Sequence, residues 1–306
     1  SVSADYFIEK RRDILVSPDY LPGILGMTLP VVNVGKTENR GFEIQAKWND
    51  KLNDDFRYWA NFNLSFARNK IIFKNEVAQN EEWMYETGRR IGSRSMYKFW
   101  GFYDETADKR YQTEYGRPGD AVFVDLNGDG VLNGDDATRD IGFTDIPEYT
   151  AGLNLGFSWK NFDFSMQWTG AWNVDRMLSE FRRPLGDTNS KALLLYQYET
   201  TWRSSEDTFT AKFPRASNSH ASNNYRGADL YLINASYLRL KNVEIGYNFD
   251  FPFMKKMKLD NCRLYINGYN LLTITGFDWG DPESRQSDRP NYPLTRVFNI
   301  GLKVGF

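Results

Sequence analysis

Cysteine and histidine are almost missing from this chain, with Cys262 and His220 the single example of each. A lone cysteine excludes an internal disulfide framework and any zinc site built on several thiolates. A lone histidine excludes clustered-imidazole metal chemistry, and His220, set in the Ser/Asn-rich stretch 216–224, reads as a loop residue and not a general base. A charge excess is missing too: 38 basic residues face 40 acidic ones, for a net charge of −2. Without a basic surplus there is no counterion release to drive nucleic-acid binding, so no nucleic-acid partner is expected. No run comes near the roughly 18 consecutive apolar residues of a membrane-spanning helix. No secretory leader opens the chain, which begins Ser1-Val-Ser-Ala-Asp5 and so reads as a trimmed or internal piece.

Catalytic constellations are equally scarce. No Gly-rich phosphate loop leads from a strand into a helix. The acidic stretch 104–114 is too crowded with carboxylates to single out a glycosidase-like pair. Lys255-Lys256-Met-Lys258 reads as a solvated turn, and Cys262, at the start of a strand, as a small hydrophobe. The expectation is a chain that is not an enzyme.

What the chain has in abundance is aromatic residues, 16% of the total, beside a mean hydropathy of −0.60. Polar and aromatic residues must therefore be interleaved. The last segment shows how: Phe298, Ile300, Leu302, Val304 and Phe306 alternate with Val297, Asn299, Gly301, Lys303 and Gly305. Period two places the two sets on opposite faces of a strand. Tyr149 to Trp159 and Phe162 to Trp168 repeat the pattern across Lys160-Asn161, which predicts a tight hairpin. Phe56 to Phe66 and Phe42 to Trp48 repeat it again, Val2 to Ile8 more weakly, and 236–249 and 261–272 less regularly.

Eight long strands result, and their connections alternate. Short links fall at 49–55, 160–161 and 250–260; long ones fall at 12–36, 69–148, 173–235 and 273–295. Every short link then lands on one rim and every long link on the other, as in an outer-membrane β-barrel. A spanning strand needs only about 9–11 residues, half of them lipid-facing, so such a chain looks polar overall. Trp48, Trp159, Phe249 and Phe306 sit at short-link ends, where an aromatic girdle would lie. A soluble β-sandwich also alternates along its inner face, and a calcium-stabilised adhesin or binding module of that kind is the alternative. Sandwich strands usually run to about 5–6 residues, however, which favours the barrel.

Within the long link 69–148, residues 125–136 form a calcium-type motif. Asp125, Asn127 and Asp129 would supply oxygens at its first, third and fifth positions, and Gly130 the sharp turn. Val131 would offer a backbone carbonyl, Asn133 a side chain or bridged water, and Asp136 the closing carboxylate. Bound calcium would rigidify the loop; an ion-free Asp/Asn/Gly turn is the other reading. Aromatic residues crowd the long links. Trp83, Tyr85, Tyr97, Phe99, Trp100 and Tyr103 in one, with Phe102, and Tyr196 and Trp202 in another, with Tyr198, are candidate substrate or lid contacts. Packing of the loops on themselves is the competing reading.

The whole chain, residues 1–306, resembles the C-terminal part of the SusC/RagA-type TonB-dependent outer-membrane transporters of Bacteroidetes-type bacteria. The resemblance rests on Val34-Gly-Lys-Thr-Glu-Asn-Arg-Gly41-Phe-Glu43, Arg117-Pro-Gly-Asp120 leading into 125–136, and Pro147-Glu-Tyr-Thr-Ala-Gly-Leu-Asn-Leu-Gly156. Ser236-Tyr-Leu-Arg-Leu-Lys-Asn-Val-Glu-Ile-Gly-Tyr247, Tyr265-Ile-Asn-Gly-Tyr-Asn-Leu-Leu272 and the Phe-ending strand add to it. It implies an all-β, transmembrane antiparallel barrel of 22 strands, of which these eight are about the last third, with the N-terminal plug domain absent here. It further implies TonB-driven import of oligosaccharides or peptides across the outer membrane, a SusD-like surface lipoprotein as partner, and Phe306 as the membrane-insertion signal. Asn154, Ser158, Gln167 and Thr169 would then face the passage, and the apolar set the outer-membrane lipid.

Overall fold

In the computed structural model, residues 1–17, 30–103, 116–178, 195–207, 210–216, 224, 226–250, 259–278, 280–284 and 294–305 are described. Eight long strands dominate: β1 (Val2–Val16), β2 (Val32–Lys51), β3 (Phe56–Phe73), β6 (Tyr149–Trp159), β7 (Phe162–Trp172), β10 (Tyr237–Phe249), β11 (Asn261–Thr275) and β12 (Val297–Gly305). Among the described residues, the long links hold four short strands, β4 (Phe99–Phe102), β5 (Ala121–Phe123), β8 (Asp175–Met177) and β9 (Leu232–Asn234), and one short α-helix, α1 (Leu195–Thr200). The eight long strands form one sheet in the order β1-β2-β3-β6-β7-β10-β11-β12, each antiparallel to its neighbour. Sequence neighbours are therefore sheet neighbours, the up-and-down wall that the alternating link lengths predict.

Period-two alternation sets the two faces. On the apolar face, one cross-strand row joins Tyr6, Phe42, Phe66, Tyr149 and Trp172. A second row joins Phe56, Trp159, Phe162 and Tyr247. Phe56 and Phe66, Tyr149 and Trp159, and Phe162 and Trp172 are each ten residues apart along their strands. At about 3.3 Å per residue and a tilt of about 40°, the rows stand about 25 Å apart in height, the apolar band of an outer-membrane barrel. Between them lie Leu153, Leu155, Met166, Ile245, Ile266 and Ile300, and Ile300 is 76% exposed.

The strands depart from expectation in two ways. β1, β2 and β3 run well past the upper aromatic row, shortening the links expected at 12–36 and 69–148 to 17–31 and 74–148. β10 carries a bulge against β7 between Leu240 and Asn242, and at the same place β11 carries one extra residue against β10, between Tyr269 and Leu272. The extra residue of β10, Lys241, shifts the outward positions from Leu238 and Leu240 to Val243, Ile245 and Tyr247. That switch is the physical reason this strand's pattern looks irregular.

Among the described residues, the clusters of buried apolar side chains lie outside the wall. They centre on Phe123, on Val174 with Phe277, and on Phe213 with Tyr231, all contributed by the long links.

Candidate functional site

The polar face of the wall is a continuous ladder. One rung runs Lys47, Asn61, Asn154, Gln167 and Asn242 across five strands. Ser158 pairs with Asp163, and Thr169 stands between Gly152 and Arg239. All four residues expected to face the passage thus share one face. Lower on it, Arg263 bonds Asp163, donating from Nε at 3.1 Å, and Glu244 at 2.8 Å. Asn267 donates onward to Glu244 and accepts from Asn299 at 2.9 Å. These bonds pair the charged groups with one another along the polar face. Gly156 lies under the Trp59 ring, so that any Cβ there would collide with the indole.

Above the upper aromatic row, the loops make their own structure. Asp120 of the Arg117-Pro-Gly-Asp120 motif pairs with Arg215 at 2.7 Å and accepts from Asn224 at 2.9 Å. Asn224 in turn accepts the Ala121 amide at 2.7 Å, and its carbonyl accepts from the Tyr231 hydroxyl at 2.6 Å. This buried network joins two links about a hundred residues apart. Sequence reasoning missed it, although the Arg-Pro-Gly-Asp motif was its visible end. Gly119, at φ +85°, sits against the Trp202 ring, where a side chain would be both strained and blocked.

At the base of the cap, Glu148 receives Arg68 at 2.7 and 2.8 Å, Arg90 at 2.6 Å and Asn173 at 3.0 Å. Burial pushes its carboxyl up, but those donors outweigh burial and hold it below the usual carboxylate range. Asp175 and Asp229 go the other way, raised by burial despite the amides of Phe143 and Phe99 that they accept.

The candidate contacts divide. Tyr97 and Phe99 pack on Phe123 in the loop core. Trp83 donates to the Asp135 carbonyl at 2.8 Å, and the Tyr85 hydroxyl accepts the Gln79 amide at 2.9 Å. Tyr103 lies beside Gly116, and Trp202 over Gly119. Trp100 and Tyr198 are exposed. Nothing is described of the Tyr196 side chain, and Phe306 and His220 lie outside the described residues.

The 125–136 loop is wound on its own amides. Asp125 accepts from Gly128 and Gly130 at 2.7 and 2.8 Å, and the fully buried Asp136 accepts from Leu126 and Asn133, both at 2.8 Å. Asn127, Asp129 and Asn133 accept from the amides two residues on. Gly128 and Gly130 take positive φ, which only glycine adopts without strain, and Val131 is exposed. Among the described residues, no group of three or more His, Cys, Asp or Glu is placed to hold a metal ion. The carboxylate oxygens keep further lone pairs, but their present work is closing the loop.

No family profile matches the chain. Among curated proteins, TonB-dependent receptor P3 of Formosa agariphila is 28% identical over 340 aligned residues, covering 100% of this chain and 32% of its own length. TonB-dependent receptor SusC of Bacteroides thetaiotaomicron is 24% identical, covering 99% of this chain and 30% of its own. The chain therefore spans about a third of the length of the curated relatives it matches. Among solved structures, the RagAB peptide transporter superposes with a TM-score of 0.73 at 21% identity, over 100% of this chain and 33% of that one. The RagAB peptide importer in its open-open state gives 0.72. By sequence and by fold, the chain is similar to the outer-membrane β-barrel of TonB-dependent receptors of the SusC/RagA type, over about a third of their length.

Proposed function

We propose that this segment forms part of the wall and outer cap of a TonB-dependent importer, one that takes up oligosaccharides or peptides through a polar passage. The observation that carries the reading is the two-faced wall: an apolar outer face bounded by aromatic rows, and a polar ladder behind it. An open sheet is not tolerated in hydrocarbon, so β1 and β12 need further strands to close the barrel. A sandwich would need a second sheet over Ile300 and its neighbours, and the described residues place none there. Energy would come from the TonB complex acting on a plug inside the closed barrel. A SusD-like lipoprotein would cover the cap, where the exposed Trp100 and Tyr198 offer stacking surfaces for substrate or lid. Calcium in the 125–136 loop, if bound, would be structural, and Phe306 would mark the protein for insertion.

Deleting the full-length receptor should abolish uptake of one nutrient class, an uptake that collapses when the proton gradient is discharged. Unchanged uptake of every oligosaccharide and peptide tested would sink the importer reading. Nitroxides at Leu153, Phe164 and Leu302 should be quenched by lipid-soluble agents, and those at Asn154 and Gln167 by water-soluble ones. The reverse pattern would remove its physical basis.

A further inference from the structure

A cavity of about 700 Å³ lies on the outer side of the wall, directly above the upper aromatic row. Tyr6, Phe42 and Phe66 of that row form its floor, the extended ends of β2 and β3 its back, and loop segments 88–93 and 139–144 its roof. The two rungs above the row read Ile8, Arg40, Arg68 and then Lys10, Glu38, Lys70. Arg40 and Arg68 share the parity of Phe42 and Phe66, so they belong to the lipid side and not to the passage.

Six cations line the cavity, Arg40, Arg68, Lys70, Arg89, Arg90 and Arg139, against two carboxylates, Glu38 and Asp140. Neighbouring acids do not cancel the excess. Glu148 answers both Arg68 and Arg90, and Glu38 lies between Arg40 and Lys10. Arg89 pairs with Asp140 through its Nη2, and Arg139 shares Glu86 with Lys74, which leaves six lining cations against four acids. Arg40, Arg68 and Lys70 remain exposed. Arg89 Nε and Ser93 Oγ are buried at the cavity wall without a hydrogen-bond partner. A buried donor without an acceptor is costly, and an anion's oxygens would relieve it. The opposite end of the same β2–β3 hairpin balances Lys47, Lys51 and Arg57 with Asp50, Asp54 and Asp55, so within this hairpin the cation excess lies at the cavity end.

Height identifies the ligand. The first rung above an outer aromatic row stands at the polar headgroups of the outer leaflet. Guanidinium groups there match phosphate oxygens in charge and bidentate geometry. We propose that this cavity binds the phosphorylated headgroup of an anionic glycolipid in the outer leaflet, with its acyl chains lying down the aromatic and aliphatic outer face. The proposal rests on the outward assignment of the apolar parity.

The test uses the full-length receptor, stripped of endogenous lipid in detergent and offered four probes. These are a phosphorylated acyl-glucosamine disaccharide, its dephosphorylated form, phosphatidylethanolamine and inorganic phosphate, with retention read by native mass spectrometry. The phosphorylated glycolipid should be retained over the other three. The double variant Arg40→Ala/Lys70→Ala, which alters only exposed side chains, should retain it about tenfold less. Lys47→Ala, on the passage side, should change nothing. Equal retention of the dephosphorylated form, undiminished retention by the double variant, or binding of inorganic phosphate without the lipid would each overturn the proposal. A nitroxide at Phe164 separates the two levels. If it reports water, the outward assignment itself fails. If it reports acyl chains while the glycolipid is not retained, only the headgroup site fails.

Discussion

Phe123 and Phe298 are the same side chain in two different solvents. Phe123, in the loop cap, is 1% exposed and packed against Ala121, Ala228 and Tyr97, whereas Phe298, on the wall, is 72% exposed. The loops extend into water and must bury their apolar groups in protein, so they form clusters and buried networks. The wall's outer side chains pack sideways on one another, as Phe42 does on Phe66 and Phe157 on Phe164, and their exposed surfaces require a surrounding that is itself apolar. The sharpest way to break this contrast is to truncate both rings in the full-length receptor. Phe123→Ala should cost the cap about 3–5 kcal/mol, seen as faster proteolysis of the long links while the barrel survives. Phe298→Ala should cost a small fraction of that, because acyl chains, as apolar as the ring, fill the space it leaves. Similar losses at the two positions would mean that the wall is covered by protein.

A charge scan along one strand sharpens the same contrast. Leu155 faces outward, midway between the aromatic rows, and its neighbour Asn154 faces the polar ladder. Leu155→Arg should destabilise the barrel by about 2–4 kcal/mol, the range for a cation on the lipid face at mid-depth. Asn154→Arg should be close to neutral. Urea unfolding of the receptor refolded into bilayers measures both. A larger penalty at Asn154 would invert the two faces.

The wall was legible in the sequence because lipid and water demand opposite side chains, and a strand presents them at alternate positions. Tyr149–Trp159 and Phe162–Trp172 show it openly, and their hairpin turn sits at Lys160-Asn161 as read. Where the solvent changes, the signal fades. Above the upper row both faces meet polar surroundings, so Lys10, Glu38, Arg40, Arg68 and Lys70 break the alternation, and the strands run on unseen. Along β10 the bulge at Lys241 moves the outward residues from one parity to the other. The cap was less legible still. Asp120, Arg215 and Asn224 are brought together only by folding, and no local spacing marks three residues so far apart in the chain. The aromatic crowding of 83–103 was visible, yet composition alone does not separate Tyr97 and Phe99, which enter the core, from Trp100, which stays exposed.

The junction between wall and cap supplies the smallest and most specific effect. Glu148 ties β3 to the cap through Arg68 and Arg90, and its own carbonyl accepts the Ala67 amide at 2.9 Å. Its carboxyl is held below the ordinary range, so the folded state binds its proton more weakly than the unfolded chain does. The stabilisation is thus complete above about pH 4.3, the ordinary glutamate value, and fades as acid protonates the group through its lowered value. The protection of the Ala67 amide, relative to its intrinsic exchange rate at each pH, should fall below that point, while amides at mid-wall, such as that of Leu155, keep theirs. Glu148→Gln retains the hydrogen-bonding shape but not the charge, so this variant should exchange faster at neutral pH and lose the acid-dependent step. A step that persists in Glu148→Gln would assign the acid sensitivity to another carboxylate and leave Glu148 as a packing residue alone.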